Sequence, residues 1–341
     1  MDVRTGKVIR HYMSGPGAHD LKSNFVLTLI RTAEGKIALG TAAGAYWYNE
    51  QTDDFTPIPG IPYAFIAIIL EDHDGVLWMG THGNGVYFLD TKTGRTGHLD
   101  GNAAPGKGLA SHDINAITED SDHNIWFSTE GTGLCRLKAD RKTYSSLTTA
   151  DGLPSNFVFR VIQDNNNDYW VTTSKGLVNI RKASGVIRVY TRGNGLLNDQ
   201  FNYNSGFKDS DGKLYFGSVR GMITFQPNDF VIPDFEPSIY ITGFQVDNVD
   251  LKNGPDSSIL KRSILYTDKI TLPHDQSSFS IDFAALSYAS PDRTEYSYIM
   301  QGLDKTWTRL PTNRKVYFTK LAHGNYTFRL KAAVGGHWSP W

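Results

Sequence analysis

One cysteine, Cys135, in a chain of 341 residues leaves no means of forming an internal disulfide or a CxxC metal or redox pair. Charge of one sign is also missing. The 34 Lys and Arg residues face 35 Asp and Glu, a formal net charge of −1, so no global field draws in polyanions and direct nucleic-acid binding is not expected. Long hydrophobic runs are absent. The longest, Ala64 to Leu70, falls far short of the roughly 20 residues that a membrane-spanning helix needs. Met1 to Tyr12 lacks the apolar stretch of a signal peptide and reads as an ordinary strand. What is present is globular, with 40% hydrophobic and 12% aromatic residues. At roughly 150 residues per domain, the length predicts about two domains.

A repeat organises the first two thirds of the chain. Its clearest copy runs from Ile66 through the turn Asp72 to Gly75, a second strand Val76 to Thr81, and a third strand Gly85 to Asp90. Four further copies follow this frame. The positions equivalent to Trp78 are Ala38, Trp126, Trp170 and Tyr215, at intervals of 40, 48, 44 and 45. That period suits a four-stranded propeller blade. The first turns carry Gly, Asn or Asp where a tight hairpin needs left-handed backbone, and a second glycine recurs at Gly44, Gly85, Gly133, Gly176 and Gly221. Outer strands are expected at Arg95 to Leu99, Lys142 to Leu147 and Val186 to Tyr190. Thr5-Gly6-Lys7-Val8 resembles the entry to those strands, so Met1 to Tyr12 is expected to be an outer strand too. Such a strand either closes a five-bladed ring or marks a piece of a larger propeller; the piece is the favoured reading.

The strings Gly152-Leu-Pro-Ser-Asn156, Gln163 to Leu177 and Gly195-Leu-Leu-Asn-Asp-Gln-Phe-Asn-Tyr203 resemble two-component regulator propeller repeats. Phe207 to Ser218 and Gly221 to Pro227 resemble the last blade in periplasmic sensors of hybrid two-component systems. After Pro227 the period stops, and Pro233 and Pro237 mark a junction. Alternating segments Ser278 to Phe283, Tyr296 to Met300, Lys315 to Phe318 and Asn325 to Lys331 then predict a small β-sandwich. Tyr298 to Trp307, with Tyr317 and Gly324 to Phe328, resembles the three-tyrosine immunoglobulin-like domain that follows such propellers. The fold class is thus all-β, with propeller blades over residues 1–232 and an Ig-like sandwich over 233–341, the latter expected to lack its last strand.

The resemblance implies a segment of a longer inner-membrane protein whose membrane helix, histidine kinase and receiver lie elsewhere. It implies a periplasmic location, an oligosaccharide ligand from a polysaccharide, and a homodimer that relays rearrangement across the membrane. Contact with the membrane would then come only through the missing helix. No catalytic residue, metal or cofactor is expected.

The chemistry of individual motifs agrees. The Asp-rich turns lack the ligand number and spacing of a calcium loop, and Gly101 to Lys107 nearly matches a phosphate-binding loop but is followed by Gly108 instead of Ser or Thr. Asp113, His112 and Arg160 lie at or near channel-facing strands but form no recognisable triad. Trp78, Trp126 and Trp170 share one register and read as core; Tyr298, Tyr317 and Tyr326 read as buried and structural. The histidines are scattered, with no HxH or HExxH spacing. Propellers gather binding loops on the face that carries the blade junctions and the turns between second and third strands. There the candidate ligand residues are His82, Asn84, Glu130, Lys175 and Arg220 from the turns, and His112, Asn156 and Asn202 from the junctions. Lys175 and Arg220 suit a carboxylate or sulfate. Two other readings stay open: a secreted propeller lyase or glycoside hydrolase, and a protein-interaction propeller.

Overall fold

The computed structural model describes the chain except for residues 1, 3, 230–237, 253, 255–258, 287–293, 311–312, 335–336 and 340–341. Its contacts divide into two units, Met1–Phe230 and Val231–Trp341. The expected boundary between 232 and 233 lies outside the described residues.

The first unit consists of five antiparallel sheets in chain order. Blade 1 holds β1 (Val26–Arg31), β2 (Ile37–Thr41), β3 (Gly44–Asn49) and β4 (Asp54–Pro57); blade 2 holds β5 (Phe65–Glu71), β6 (Val76–His82), β7 (Val86–Asp90) and β8 (Thr96–Leu99). Blade 3 holds β9 (Ile114–Glu119), β10 (Ile125–Thr129), β11 (Leu134–Leu137) and β12 (Tyr144–Leu147); blade 4 holds β13 (Val158–Gln163), β14 (Tyr169–Thr173), β15 (Gly176–Ile180) and β16 (Ile187–Tyr190). Blade 5 has three strands among the described residues, β17 (Phe201–Lys208), β18 (Leu214–Ser218) and β19 (Gly221–Phe225).

Four of the first unit's cores each belong to two successive blades. Ile68, Trp78 and Val86 of blade 2 pack with Ile114, Phe127 and Cys135 of blade 3. Trp126 and Leu134 pack with Val161 and Val171 in the next junction, and Trp170 and Leu177 with Phe216 and Phe225 in the one after. A fully buried Val, Leu or Ile contributes about 1.5–3 kcal/mol, so a blade reaches its full stability only when a neighbour covers it.

Within a blade the repeat has a polar lock. In blade 2, Asp72 Oδ1 accepts the N–H groups of Asp74 and Val76, closing the turn, while Oδ2 accepts the indole N–H of Trp78 at 2.8 Å. Asp120 holds Trp126, Asp164 holds Trp170, and Asp209 holds the hydroxyl of Tyr215 in the same way. These carboxylates are occupied by the fold, which is why the turns are rich in Asp.

Met1 to Tyr12 forms no strand in its described residues. Asp2 Oδ1 accepts the N–H groups of Arg4 and Thr5, and Gly6 has a φ of 68°, so the segment opens as a turn. Tyr12 then packs against Tyr48 and Phe55 of blade 1. The described residues of this segment pair with no strand, and the outer edge of β19 carries none of them.

The second unit has two four-stranded sheets. One is ordered β21 (Val249–Asp250), β20 (Ser238–Val246), β22 (Phe279–Leu286), β25 (Lys315–Phe318); the other is ordered β24 (Thr308–Leu310), β23 (Glu295–Gln301), β26 (Thr327–Val334), β27 (His337–Trp338). Phe283 and Phe318 of the first meet Tyr296, Met300 and Leu330 of the second in one core. Of the three tyrosines expected to be buried, Tyr298 stacks on Phe328 and is partly buried, and Tyr326 precedes β26 and donates its hydroxyl to Ala322 O. Tyr317 is 65% exposed, because its neighbours in β25, Val316 and Phe318, take the inward register. Among the described residues of this unit, the fully buried tyrosine is Tyr296, whose hydroxyl accepts the N–H of Ala285.

Candidate functional site

The residues expected to bind ligand come from one end of the blades. Their turns share a construction in which the hydroxyls of Thr81, Thr129, Thr173 and Ser218 donate to the carbonyls of Gly85, Gly133, Gly176 and Gly221. Backbone bonds then tie a turn to the following blade junction: His112 O accepts the N–H groups of Gly83 and Gly85, and Asn156 O those of Gly131 and Gly133. This joins His82 and Asn84 to His112, and Glu130 to Asn156.

Several of the expected residues serve the fold. Asn156 Oδ1 accepts the N–H of Thr149, the Asn84 carbonyl meets His98 Nε2, and Asn202 Nδ2 donates to Ser218 O. His112 contributes its carbonyl and leaves its ring exposed. Glu130 is half-buried, with its N–H on Asp113 O. Lys175 and Arg220 are exposed, and among the described residues neither side chain has an ion-pair partner. His82 differs from the rest: its Nδ1 lies 3.9 Å from Asp113 Oδ1, and its ring meets Phe65 at 5.1 Å and Tyr203 at 6.5 Å.

The contact with Tyr203 follows from the inner strands. In blades 1 to 4 the register skips one residue near the same end, Leu27, Ala67, Asn115 and Phe159. Such bulges redirect side chains. In blade 5 the bulge is larger, with Asn202 to Ser205 opposite Gly217. It carries Tyr203 to His82 of blade 2 on one side and Phe159 of blade 4, 4.9 Å away, on the other. Tyr203 remains 57% exposed.

Beside this bulge are polar atoms without partners. Arg160 Nη1 donates to Asn204 Oδ1 at 2.8 Å, but its buried Nε has no partner among the described residues, and burial pulls the guanidinium below its ordinary pKa. Asn115 is 2% exposed; its Nδ2 donates to Val158 O while Oδ1 is unpartnered. Buried polar atoms left unpaired are uncommon and costly. The arrangement offers rings for apolar contact, and a buried donor and acceptor for orientation.

Phe65, Phe159, Tyr203 and Asn115 were not among the candidate residues. Their inner strands read as apolar channel lining, and bulge size leaves no local signal in the sequence.

The two-component regulator propeller model matches residues 60–83, 108–131 and 152–175, and the Y_Y_Y domain model matches 287–340. Histidine kinase P4 of Formosa agariphila is 30% identical over 183 residues, 54% of this chain and 13% of that protein. Among solved structures, the extracellular domain of a protein classed as a hybrid two-component system of B. thetaiotaomicron aligns with a TM-score of 0.57 and 23% identity, over 94% of this chain and 49% of that one. PorZ, a surface component of the type-IX secretion system of Porphyromonas gingivalis, aligns with a TM-score of 0.53 and 15% identity, over 98% of this chain and 47% of that one. The chain thus spans about half of each solved structure and a smaller share of the kinase. It carries segments that match two-component regulator propeller repeats, followed by one that matches the Y_Y_Y domain, and over about half its length it is similar to part of a histidine kinase.

Proposed function

We propose that this chain is the ligand-recognising part of the periplasmic sensor region of a hybrid two-component histidine kinase and response regulator, and that it binds an oligosaccharide released from a polysaccharide. The observation that carries the reading is the enlarged bulge of β17. It sets Tyr203 between His82 and Phe159, beside the unpartnered Arg160 Nε and Asn115 Oδ1. Flat apolar rings with a few fixed polar groups suit a sugar ring, which has apolar faces and a polar edge. Lys175 and Arg220 supply cationic ends for an acidic saccharide. In the parent protein the ligand would bias one of two arrangements of a homodimer through its differential affinity for them.

The test is calorimetry of the chain against a panel of neutral and acidic oligosaccharides, with product analysis on the same samples. Saturable binding without products, weakened about tenfold or more by Tyr203→Ala, supports the reading; loss of one such stacking side chain is of order 1.4 kcal/mol. Turnover would favour the lyase or hydrolase reading, with His82 and Asp113 as the first residues to examine. Affinity that is the same in the Tyr203 variant moves the site off the bulge.

A further inference from the structure

We propose that His73, Glu119 and His123 form a binding site for a divalent transition metal of the zinc class, joining blades 2 and 3 at the strand ends opposite the Tyr203 cluster. His73 lies in the β5–β6 turn, His123 in the β9–β10 turn, and Glu119 ends β9. The ligands therefore come from two blades. The Nδ1 atoms of both imidazoles lie against a single oxygen, Glu119 Oε1, with His123 at 3.2 Å and His73 closer. All three ligand atoms lie within 4.8 Å of one another. Two imidazole nitrogens and a carboxylate oxygen are the donor set of a zinc site that keeps a position open, and bonds of about 2.0–2.2 Å put neighbouring donors at comparable separations. The two rings are stacked, with centroids 3.6 Å apart and planes 24° from parallel.

Comparison with the other blades separates this cluster from ordinary turn chemistry. In blades 2 to 4 the residue ending the inner strand is a latch: Glu71, Glu119 and Gln163 accept the N–H groups of Ala33, His73 and Ser121 in the preceding blade. Glu119 uses Oε2 for this, which leaves Oε1 to the histidines. The place of His123 is taken by Gly35, Gly75, Asn167 and Gly212 in the other turns. His123 has a φ of 63°, a left-handed conformation that disfavours a residue with a Cβ. It is held there with its ring on His73. Local charge also suits a dication. Arg141 Nη2 lies 2.9 Å from Asp72, 3.7 Å from Asp74 and 3.9 Å from Glu119, so three carboxylates face one guanidinium and two formal negative charges remain. Asp122 is paired separately with Lys182.

The repeats supply variants that keep the fold. His123→Gly installs the residue found in three of the other turns, and Glu119→Gln keeps the latch, as Gln163 does. The experiment is calorimetric titration of the chelator-treated chain with ZnCl2, with CoCl2 titrated in parallel and followed by visible absorption. One ion per chain is expected, with Co2+ bands of nitrogen and oxygen coordination. Each of the two variants should weaken zinc binding by at least about tenfold, no less than the loss of an outer-shell partner causes. His19→Ala, in the segment before blade 1, should leave it unchanged. Absence of saturable zinc binding by the parent chain overturns the proposal, as does undiminished affinity in either variant.

Discussion

In blades 2 to 5 a carboxylate at the head of the first turn ties local geometry to the core, and Asp120 has the most to hold. Its Oδ1 accepts the N–H groups of Asp122 and Asn124, while Oδ2 accepts the indole of Trp126 at 2.7 Å and the hydroxyl of Tyr169 at 2.9 Å. Removing it strands two buried donors, at about 1–3 kcal/mol each. Asp120→Ala is therefore expected to cost about 3 kcal/mol or more in urea unfolding followed by tryptophan fluorescence. Burial pushes the Asp120 pKa up, but the hydrogen bonds from Asn124, Trp126 and Tyr169 outweigh it and leave the carboxyl below its ordinary value. A carboxylate with a lowered folded pKa stabilises fully above the unfolded value of about 3.9, and that stabilisation is lost as pH falls through the lower folded value. The stability gap between the parent chain and Asp120→Asn should accordingly shrink below about pH 4; a gap independent of pH would mean that the charge contributes nothing. Cys135 gives a second residue-scale test. Burial pushes its thiol up to about 12, so at pH 8 Ellman's reagent should titrate it only after unfolding. Rapid reaction in the native protein would show that the junction of blades 2 and 3 opens.

A blade is held by turns as well as by its lock, and two glycines of one turn, on either side of Thr132, show the difference between conformation and contact. Gly131 has a φ of 96° with open space where a Cβ would stand; Gly133 has a φ of 85° and would place a Cβ 2.2 Å from the carbonyl oxygen of Leu147, at the end of the outer strand. Gly131→Ala should cost about 1–2 kcal/mol, the left-handed penalty alone. Gly133→Ala should cost clearly more, because the outer strand must move; equal thermal shifts for the two would refute the close approach. Positions such as Gly133 recur at the blade period, and this made five blades legible in the sequence. Where the repeat varies, the variation is coordinated: blade 1 has Thr32 for the lock Asp and Ala38 for its Trp, while Trp47 sits across from Ala38 on β3. Other features were hidden for physical reasons. Met1 to Tyr12 has the alternation of a strand, but Asp2 and Gly6 open it as a turn and Tyr12 packs on Tyr48 and Phe55 of blade 1, contacts that alternation does not display. The Tyr203 contact depends on bulge size, and His73 and His123 are brought together by two blades packing, so their spacing resembles no metal motif.

The propeller unit as a whole is best judged by which apolar surfaces it leaves open. Inner-strand residues between blades are sealed: Ile66, Ile114 and Val158 are each 0% exposed. The two ends of the series are not. Phe25, beside β1, is 74% exposed and Leu29 in that strand 61%, while in blade 5 Phe207 and Met222 are each 63% exposed. Isolated exposed hydrophobics are ordinary on any surface, but several on a terminal blade form a face of the kind that every other blade covers with its neighbour. In solution such faces favour association with each other. Sedimentation velocity of the 341-residue chain should therefore show self-association that rises with concentration. Leu29→Lys with Phe207→Lys should reduce it while changing thermal stability little, since both side chains are outside the cores and surface substitutions of this kind usually stay within about 0.5 kcal/mol. A parent chain that sediments as a monomer across the concentration range would show that these faces are too small or too well solvated to associate. Association unchanged by the double substitution would place the contact elsewhere, with the exposed Tyr240 and Tyr317 of the second unit as the next surfaces to alter.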